Sequence, residues 1–252
     1  ASKRLFVMMA FFYMRADEMD TVRRLTPGGP RLANAEIWTY HDAQLMKIFR
    51  YARQAGFDDL GSFIEASQKM QAHGLQTAVE HMRRRKYEAG GVMFWQLNEP
   101  WPSVCWSVID YYLRPKAAYW KIKQVFNPVL LSLDFEYRHY EADSEFAARA
   151  FLVNDRHEKL EKLSAVVRAV SDGAEVDSLK IDIRAVHPDS VSRLGDISLD
   201  LEGDGPWKIE CEVRQGRRKI CENSYDLSVI DRRPTMKTML IGDWFMHNVL
   251  WK

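Results

Sequence analysis

Cysteine is scarce in this chain, with three thiols, Cys105, Cys211 and Cys221, in 252 residues. Their spacing builds no metal-ligand set. Cys211 and Cys221 flank an expected hairpin turn, where reduced neighbours are expected rather than a disulfide. An excess of charge is also missing. Thirty-six Lys and Arg against 35 Asp and Glu leave a net charge of +1. No overall field recruits nucleic acid, and no acidic tail is present. No apolar run approaches the roughly 20 residues that cross a bilayer, so no membrane partner is expected. The start, Ala1-Ser2-Lys3-Arg4 and then apolar residues 5–12, lacks a small-residue cleavage site and runs into the charged stretch from Arg15 to Glu18. It is therefore not read as a signal peptide.

Other absences narrow the chemistry. No Gly-rich phosphate loop follows a strand, and Gly28-Gly29-Pro30 is a plain turn. Ser-His-Asp catalysis has no local signature. The nearest histidine groupings are His41 with Asp42, His73 with His81, and His139 near Glu141. None pairs ligands one helical turn apart beside a third donor, so neither a metal nor another cofactor is implied. No internal repeat and no low-complexity segment is visible.

What is present is aromatic and periodic. Hydrophobic residues make up 46% and charged residues 28%, and there are eight tryptophans. The chain is long enough for two ordinary domains. Its character changes near Asn127-Pro128, from helical periodicity to short alternating segments.

Residues 62–88 predict a helix through Phe63, Ser67, Met70, Gln71, Ala78, Val79 and Met82. It closes on Arg83-Arg84-Arg85-Lys86, read as a solvated basic C-terminus, with Gly90-Gly91 as the stop. Gly91-Val92-Met93-Phe94-Trp95-Gln96-Leu97 then predicts a strand buried on both faces. A Trp- and Pro-rich loop covers residues 98–106, and a second helix covers 115–125. Helix, strand, loop and helix form the repeating unit of an α/β barrel.

Beyond Pro128, strands are expected near 129–137, 146–153, 162–170, 178–186, 196–201, 207–213 and 219–227. Turn signals stand between them at Asp172-Gly173, Gly203-Asp204-Gly205-Pro206 and Gln215-Gly216. Seven short strands suit an immunoglobulin-like sandwich. The tail, 232–252, spaces Trp244, Phe245, Val249, Leu250 and Trp251 as a helix would.

The chemistry concentrates at residues 91–102. The C-terminal ends of barrel strands form an active-site face, which puts Trp95, Asn98, Glu99 and Trp101 at or near it. Indole faces stack on sugar rings, while amide and carboxylate groups bond hydroxyls.

Three ordered segments carry a resemblance: His81-Met82-Arg83-Arg84-Arg85-Lys86; Phe94-Trp95-Gln96-Leu97-Asn98 with Trp101-Pro102; and Trp106-Ser107-Val108-Ile109-Asp110-Tyr111-Tyr112 with Arg114-Pro115-Lys116. Together they resemble the last part of the barrel in glycoside hydrolase family 2, in its β-mannosidase and exo-glucosaminidase branch. Residues 37–42, 129–133 and 151–155 extend the likeness to roughly residues 5–230.

The resemblance implies α/β plus all-β architecture: the C-terminal part of a (β/α)8 TIM barrel over residues 1–126, an immunoglobulin-like β-sandwich over 127–231, and a tail over 232–252. It also implies part of a retaining glycosidase acting on β-mannoside-like sugars, whose two carboxyl groups stand about 5–5.5 Å apart. The acid/base would lie before residue 1. Counting back from Met19-Asp20-Thr21-Val22-Arg23-Arg24 puts Ala10 where the nucleophile would be, so this chain is expected to lack the full catalytic pair. Glu99, in an Asn-Glu-Pro sequence, is the outside candidate for an acid/base and the stronger candidate for lining a sugar pocket with Trp95, Asn98 and Trp101. The expected partners are carbohydrate and either another polypeptide completing the barrel or a second copy. The alternative is a non-catalytic carbohydrate-binding or scaffolding relative.

Overall fold

A computed structural model describes residues 48, 51–52 and 60–230. The expectations for Ala10, His41, Asp42 and the tail lie outside them. The chain divides between Asn127 and Pro128 into two compact units, and the described secondary structure is mostly β with few helices.

In the first unit, helix α1 spans Leu60–Arg84. Phe63, Ile64, Ala66, Met70 and Val79 are its buried apolar stripe, at the spacing that lines one helical face. The stripe also buries polar groups. The Ser67 hydroxyl donates to the Ile64 carbonyl at 2.8 Å, and Gln76 Nε2 donates to Glu80 Oε1 at 3.0 Å.

The helix ends before the expected Gly90-Gly91. Arg85 N–H bonds the Met82 carbonyl, Glu88 and Ala89 both donate to the Arg85 carbonyl, and Tyr87 takes the left-handed conformation at φ 74°. A local turn therefore stops the helix, and the glycines come after it. The basic run is also not simply solvated. Arg83 donates to the Val125 carbonyl, and Arg84 lies 3.6 Å from the buried Glu80 carboxylate. Helix α2 spans Ala117–Val125, buries Ala118, Ile122 and Val125, and has its first amide capped by Gln68 Oε1 of α1 at 3.0 Å.

The strand expected over 91–97 does not form. Those residues run without ladder pairing, apart from backbone bonds from Val108 N–H to the Gln96 carbonyl and from Ile109 N–H to the Leu97 carbonyl. The apolar composition predicts burial on both faces, but Met93, Trp95 and Leu97 are exposed on alternate positions. A strand exists through its neighbours, and among the described residues the only bridge here is a parallel one between Asn98 and Ile109.

The second unit contains strands β1 Val129–Asp134, β2 His139–Glu141, β3 Ser144–Asn154, β4 Leu160–Ser171, β5 Ala174–Val186, β6 Ser190–Leu201, β7 Gly205–Gln215 and β8 Arg218–Ile230. They form a three-stranded sheet, β1-β3-β6, and a five-stranded sheet, β2-β8-β7-β4-β5. Inward residues of both sheets, among them Leu131, Phe146, Leu199, Val167, Ile209 and Tyr225, share one core. All pairings are antiparallel except β2 with β8.

The β4–β5 hairpin turns through Asp172 (φ 48°) and Gly173 (φ 80°), the Asp-Gly pair that a primed two-residue turn requires. Cys211 pairs across the ladder with Asn223 and Cys221 with Val213, so the thiols are offset along the hairpin. Both are buried, and neither is in a disulfide.

Two side-chain devices tie down backbone groups of the sandwich. The Tyr225 hydroxyl accepts the Leu133 N–H and an Asn223 Nδ2 hydrogen, each at 2.8 Å, and Asn223 Nδ2 also reaches the Leu131 carbonyl at 3.0 Å. These bonds satisfy backbone groups of β1, an edge strand of its sheet. Fully buried Asn154 donates Nδ2 to the Glu158 and His187 carbonyls at 3.0 and 2.9 Å, and accepts the Arg156 N–H at 3.1 Å. Alanine at position 154 strands those groups. Chemical denaturation is expected to show a loss of about 2–3 kcal/mol, and a loss within error of zero would mean solvent replaces the amide.

Candidate functional site

The candidate residues lie where residues 96–98, 108–110 and 114–116 run side by side. Ile109 bridges Asn98 on one side and Pro115 on the other, and Lys116 N–H donates to the Val108 carbonyl at 2.9 Å. Asp110 closes the turn between the last two segments. Its Oδ1 accepts the Tyr112 and Arg114 amides, both at 2.8 Å, and its own N–H donates to the Arg114 carbonyl. Leu113 takes φ 61° at the tip of that turn.

The four residues singled out from the sequence separate into two groups. Trp95 and Trp101 are 69% and 68% exposed, and Asn98 is exposed with them. Glu99 points the other way and is buried. Its Oε1 lies 2.6 Å from Lys116 Nζ and accepts the Ser107 hydroxyl at 2.7 Å. The same ammonium donates to the Ser107 hydroxyl oxygen at 3.0 Å and to the Cys105 carbonyl at 3.1 Å. The Glu99 and Lys116 side chains are each 2% exposed.

Burial pushes the Lys116 pKa below the ordinary lysine value. The hydrogen bond and charge of Glu99 oppose that shift, with smaller help from Cys105 and Asp110. Gln71 of α1 completes the cluster by donating Nε2 to the Trp106 and Ser107 carbonyls at 2.9 and 3.3 Å. Gln96 Nε2 and the Ser107 N–H both approach the Cys105 sulfur, at 3.4 and 3.5 Å. Two acceptor atoms, Gln71 Oε1 and Asp110 Oδ2, are buried without a protein partner.

Sequence reasoning missed Ser107, Lys116 and Gln71. Lys116 was visible only as part of the Arg114-Pro115-Lys116 match, where a lysine carries no sign of burial. Among the described residues, no group of three His, Cys, Asp or Glu side chains could hold a metal ion.

Chemically the exposed residues are two indoles and a carboxamide, residue types that stack on a pyranose ring and bond its hydroxyls. The buried layer offers a fixed ion pair instead.

No family model matches the chain. It is 35% identical over 85 residues to β-mannosidase B of Aspergillus niger, covering 32% of this chain and 10% of that protein. It is 38% identical over 95 residues to β-mannosidase B of Thermothelomyces thermophilus, covering 35% and 10%. The chain thus matches about a tenth of the length of these curated relatives. Among solved structures, the exo-chitosanase of Amycolatopsis orientalis superposes with a TM-score of 0.61 at 19% identity, covering 85% of this chain and 25% of that one. The β-D-mannosidase of Dictyoglomus thermophilum superposes with a TM-score of 0.55 at 22% identity, covering 83% and 26%. Local sequence identity and shared fold point the same way: the chain is similar to β-mannosidases over about a third of its length, and its fold is that of the exo-chitosanase and β-D-mannosidase structures, in keeping with its resemblance to that branch of glycoside hydrolase family 2.

Proposed function

We propose that this chain supplies substrate-pocket residues to a retaining glycoside hydrolase acting on β-mannoside-like sugars, without the full catalytic pair. In this reading, residues 1–126 are the C-terminal portion of a TIM barrel and residues 127–231 an immunoglobulin-like sandwich. The observation that carries it is the exposure of Trp95 and Trp101 on either side of exposed Asn98. Large indoles left in water mark a binding surface more often than a folding core.

Trp101→Ala and Trp95→Ala test the reading through titration of tryptophan fluorescence with methyl β-D-mannoside. Each is expected to weaken binding about tenfold, or about 1.4 kcal/mol. Unchanged affinity in both would sink it.

Glu99 favours a second, non-catalytic reading. Buried Glu99 spends Oε1 on the Lys116 ammonium at 2.6 Å and on the Ser107 hydroxyl at 2.7 Å, so it does not face solvent with the exposed tryptophans as an acid/base acting on a sugar there must. A purely carbohydrate-binding relative would bind the mannoside with no turnover of p-nitrophenyl β-mannoside under any pairing. A glycosidase part would gain turnover when joined by the polypeptide that completes its barrel. Exposed Met93, Trp95 and Leu97 support such a partner, or a second copy, and sedimentation of the chain as a well-behaved monomer would count against self-association.

A further inference from the structure

We infer that Lys116 is a positioning residue for sugar recognition: its ammonium pins both ends of the arc that carries Trp101. This rests on the carbohydrate reading of Trp95, Asn98 and Trp101. One nitrogen holds Glu99 Oε1 at the start of the arc and the Cys105 carbonyl and Ser107 hydroxyl at its end, at 2.6, 3.1 and 3.0 Å. Trp101 lies between those pins, flanked by Pro100 and Pro102, whose rings fix their own φ angles and leave the arc few ways to adjust.

The pin itself is anchored. The Lys116 backbone bonds Val108, and Gln68 of α1 caps the next residue, Ala117. Gln71, three residues further along α1, holds the Trp106 and Ser107 carbonyls. Helix α1 therefore fixes both the base of the lysine and the far end of the arc it grips.

A hydrophobic pair of similar size would fill the same space, and buried ion pairs are often no more stabilising than such a pair. What the ion pair adds is a defined geometry. The arc has one low-energy placement, in which one charge meets three acceptors. Trp101 then meets the sugar with little ordering left to do, which is how preorganisation raises affinity.

The test uses the whole chain labelled with 5-fluorotryptophan, the Trp101 fluorine resonance being assigned by its loss in Trp101→Phe. Buried Trp207 of β7 reports that the sandwich is folded, and the helical circular dichroism of α1 and α2 reports that the first unit is. Lys116→Met and the charge-neutral double variant Glu99→Gln/Lys116→Met are expected to shift or broaden the Trp101 signal and leave Trp207 in place. Methyl β-D-mannoside affinity is expected to fall about tenfold in both, with Trp95→Ala as the reference for a lost direct contact. Ser107→Ala, which keeps the ion pair, is expected to move Trp101 less. A Trp101 resonance unmoved in the lysine variants overturns the inference. If those variants lose their folded signals, Lys116→Arg decides, since it keeps the charge but cannot place one nitrogen on all three acceptors: a moved Trp101 supports the pin, and an unmoved one overturns it. The parent reading fails separately, if the unsubstituted chain shows no response to mannoside while Trp101 still follows Lys116.

Discussion

Phe146→Ala is expected to cost the sandwich about 3–5 kcal/mol of unfolding free energy, a large share of a domain's usual margin. Phe146 is fully buried in β3. Its ring meets Phe135 edge-on at 5.0 Å and Tyr140 at 5.7 Å, and Phe135 in turn meets Tyr225 edge-on at 5.2 Å. Removing the first ring leaves a cavity lined by the other aromatics. They cannot close it freely, because the Tyr225 hydroxyl is tied to the Leu133 and Asn223 groups and the Tyr140 hydroxyl donates to the Glu136 carbonyl at 2.9 Å. The cost therefore includes cavity as well as transfer, and Phe146→Leu, which keeps most of the volume, should lose only about 1–1.5 kcal/mol. Guanidinium titration followed by far-ultraviolet circular dichroism measures both. Equal losses for alanine and leucine would show that shape at this site matters less than this packing requires.

The sandwich strands were legible because each carries its own evidence. Ile209, Cys211 and Val213 alternate inward along β7, and Asp172-Gly173 and Gln215-Gly216 mark turns with φ values those residues accept. The exception is β2. Its three residues, His139–Glu141, are too few to show a period, and it pairs parallel to a strand almost 90 positions later.

Residues 91–97 failed for the opposite reason. Their composition is strand-like, yet strand status belongs to the pairing, which local sequence does not carry. Glu99 shows the limit most clearly. Continuing the alternation of exposed Met93, Trp95 and Leu97 would turn Glu99 outward with them. The chain leaves that alternation at Asn98, and the carboxylate turns inward to a lysine 17 positions ahead. The sequence names Trp95 and Trp101 as candidates from their residue type alone, whereas the burial of Glu99 rests on a long-range charge pair that local sequence does not carry.

That charge pair leads to the second large effect. Glu99→Gln and Lys116→Met are each expected to destabilise the first unit by about 3–5 kcal/mol, while the double variant falls well short of their sum. Each single change leaves a buried charge without its principal counter-charge, and the double change removes both.

The pH dependence identifies which charge is responsible. In Glu99→Gln the burial that lowers the Lys116 pKa acts without its main opposition, so the folded-state pKa falls further below the ordinary 10.5. Below that folded value, both folded and unfolded chains hold the proton, and the variant bears the whole cost of the buried ammonium. As pH rises from there towards 10.5, the unfolded chain binds more protons than the folded one, so stability climbs with pH. The gap between Glu99→Gln and the unsubstituted chain should therefore narrow between neutral pH and about pH 9.5, read as unfolding midpoints at fixed temperature. Lys116→Met has no ammonium to discharge, and its gap should not narrow in that range. A Glu99→Gln gap that stays constant or widens would mean the loss comes from the carboxylate's hydrogen bonds to Ser107 rather than from the charge left behind.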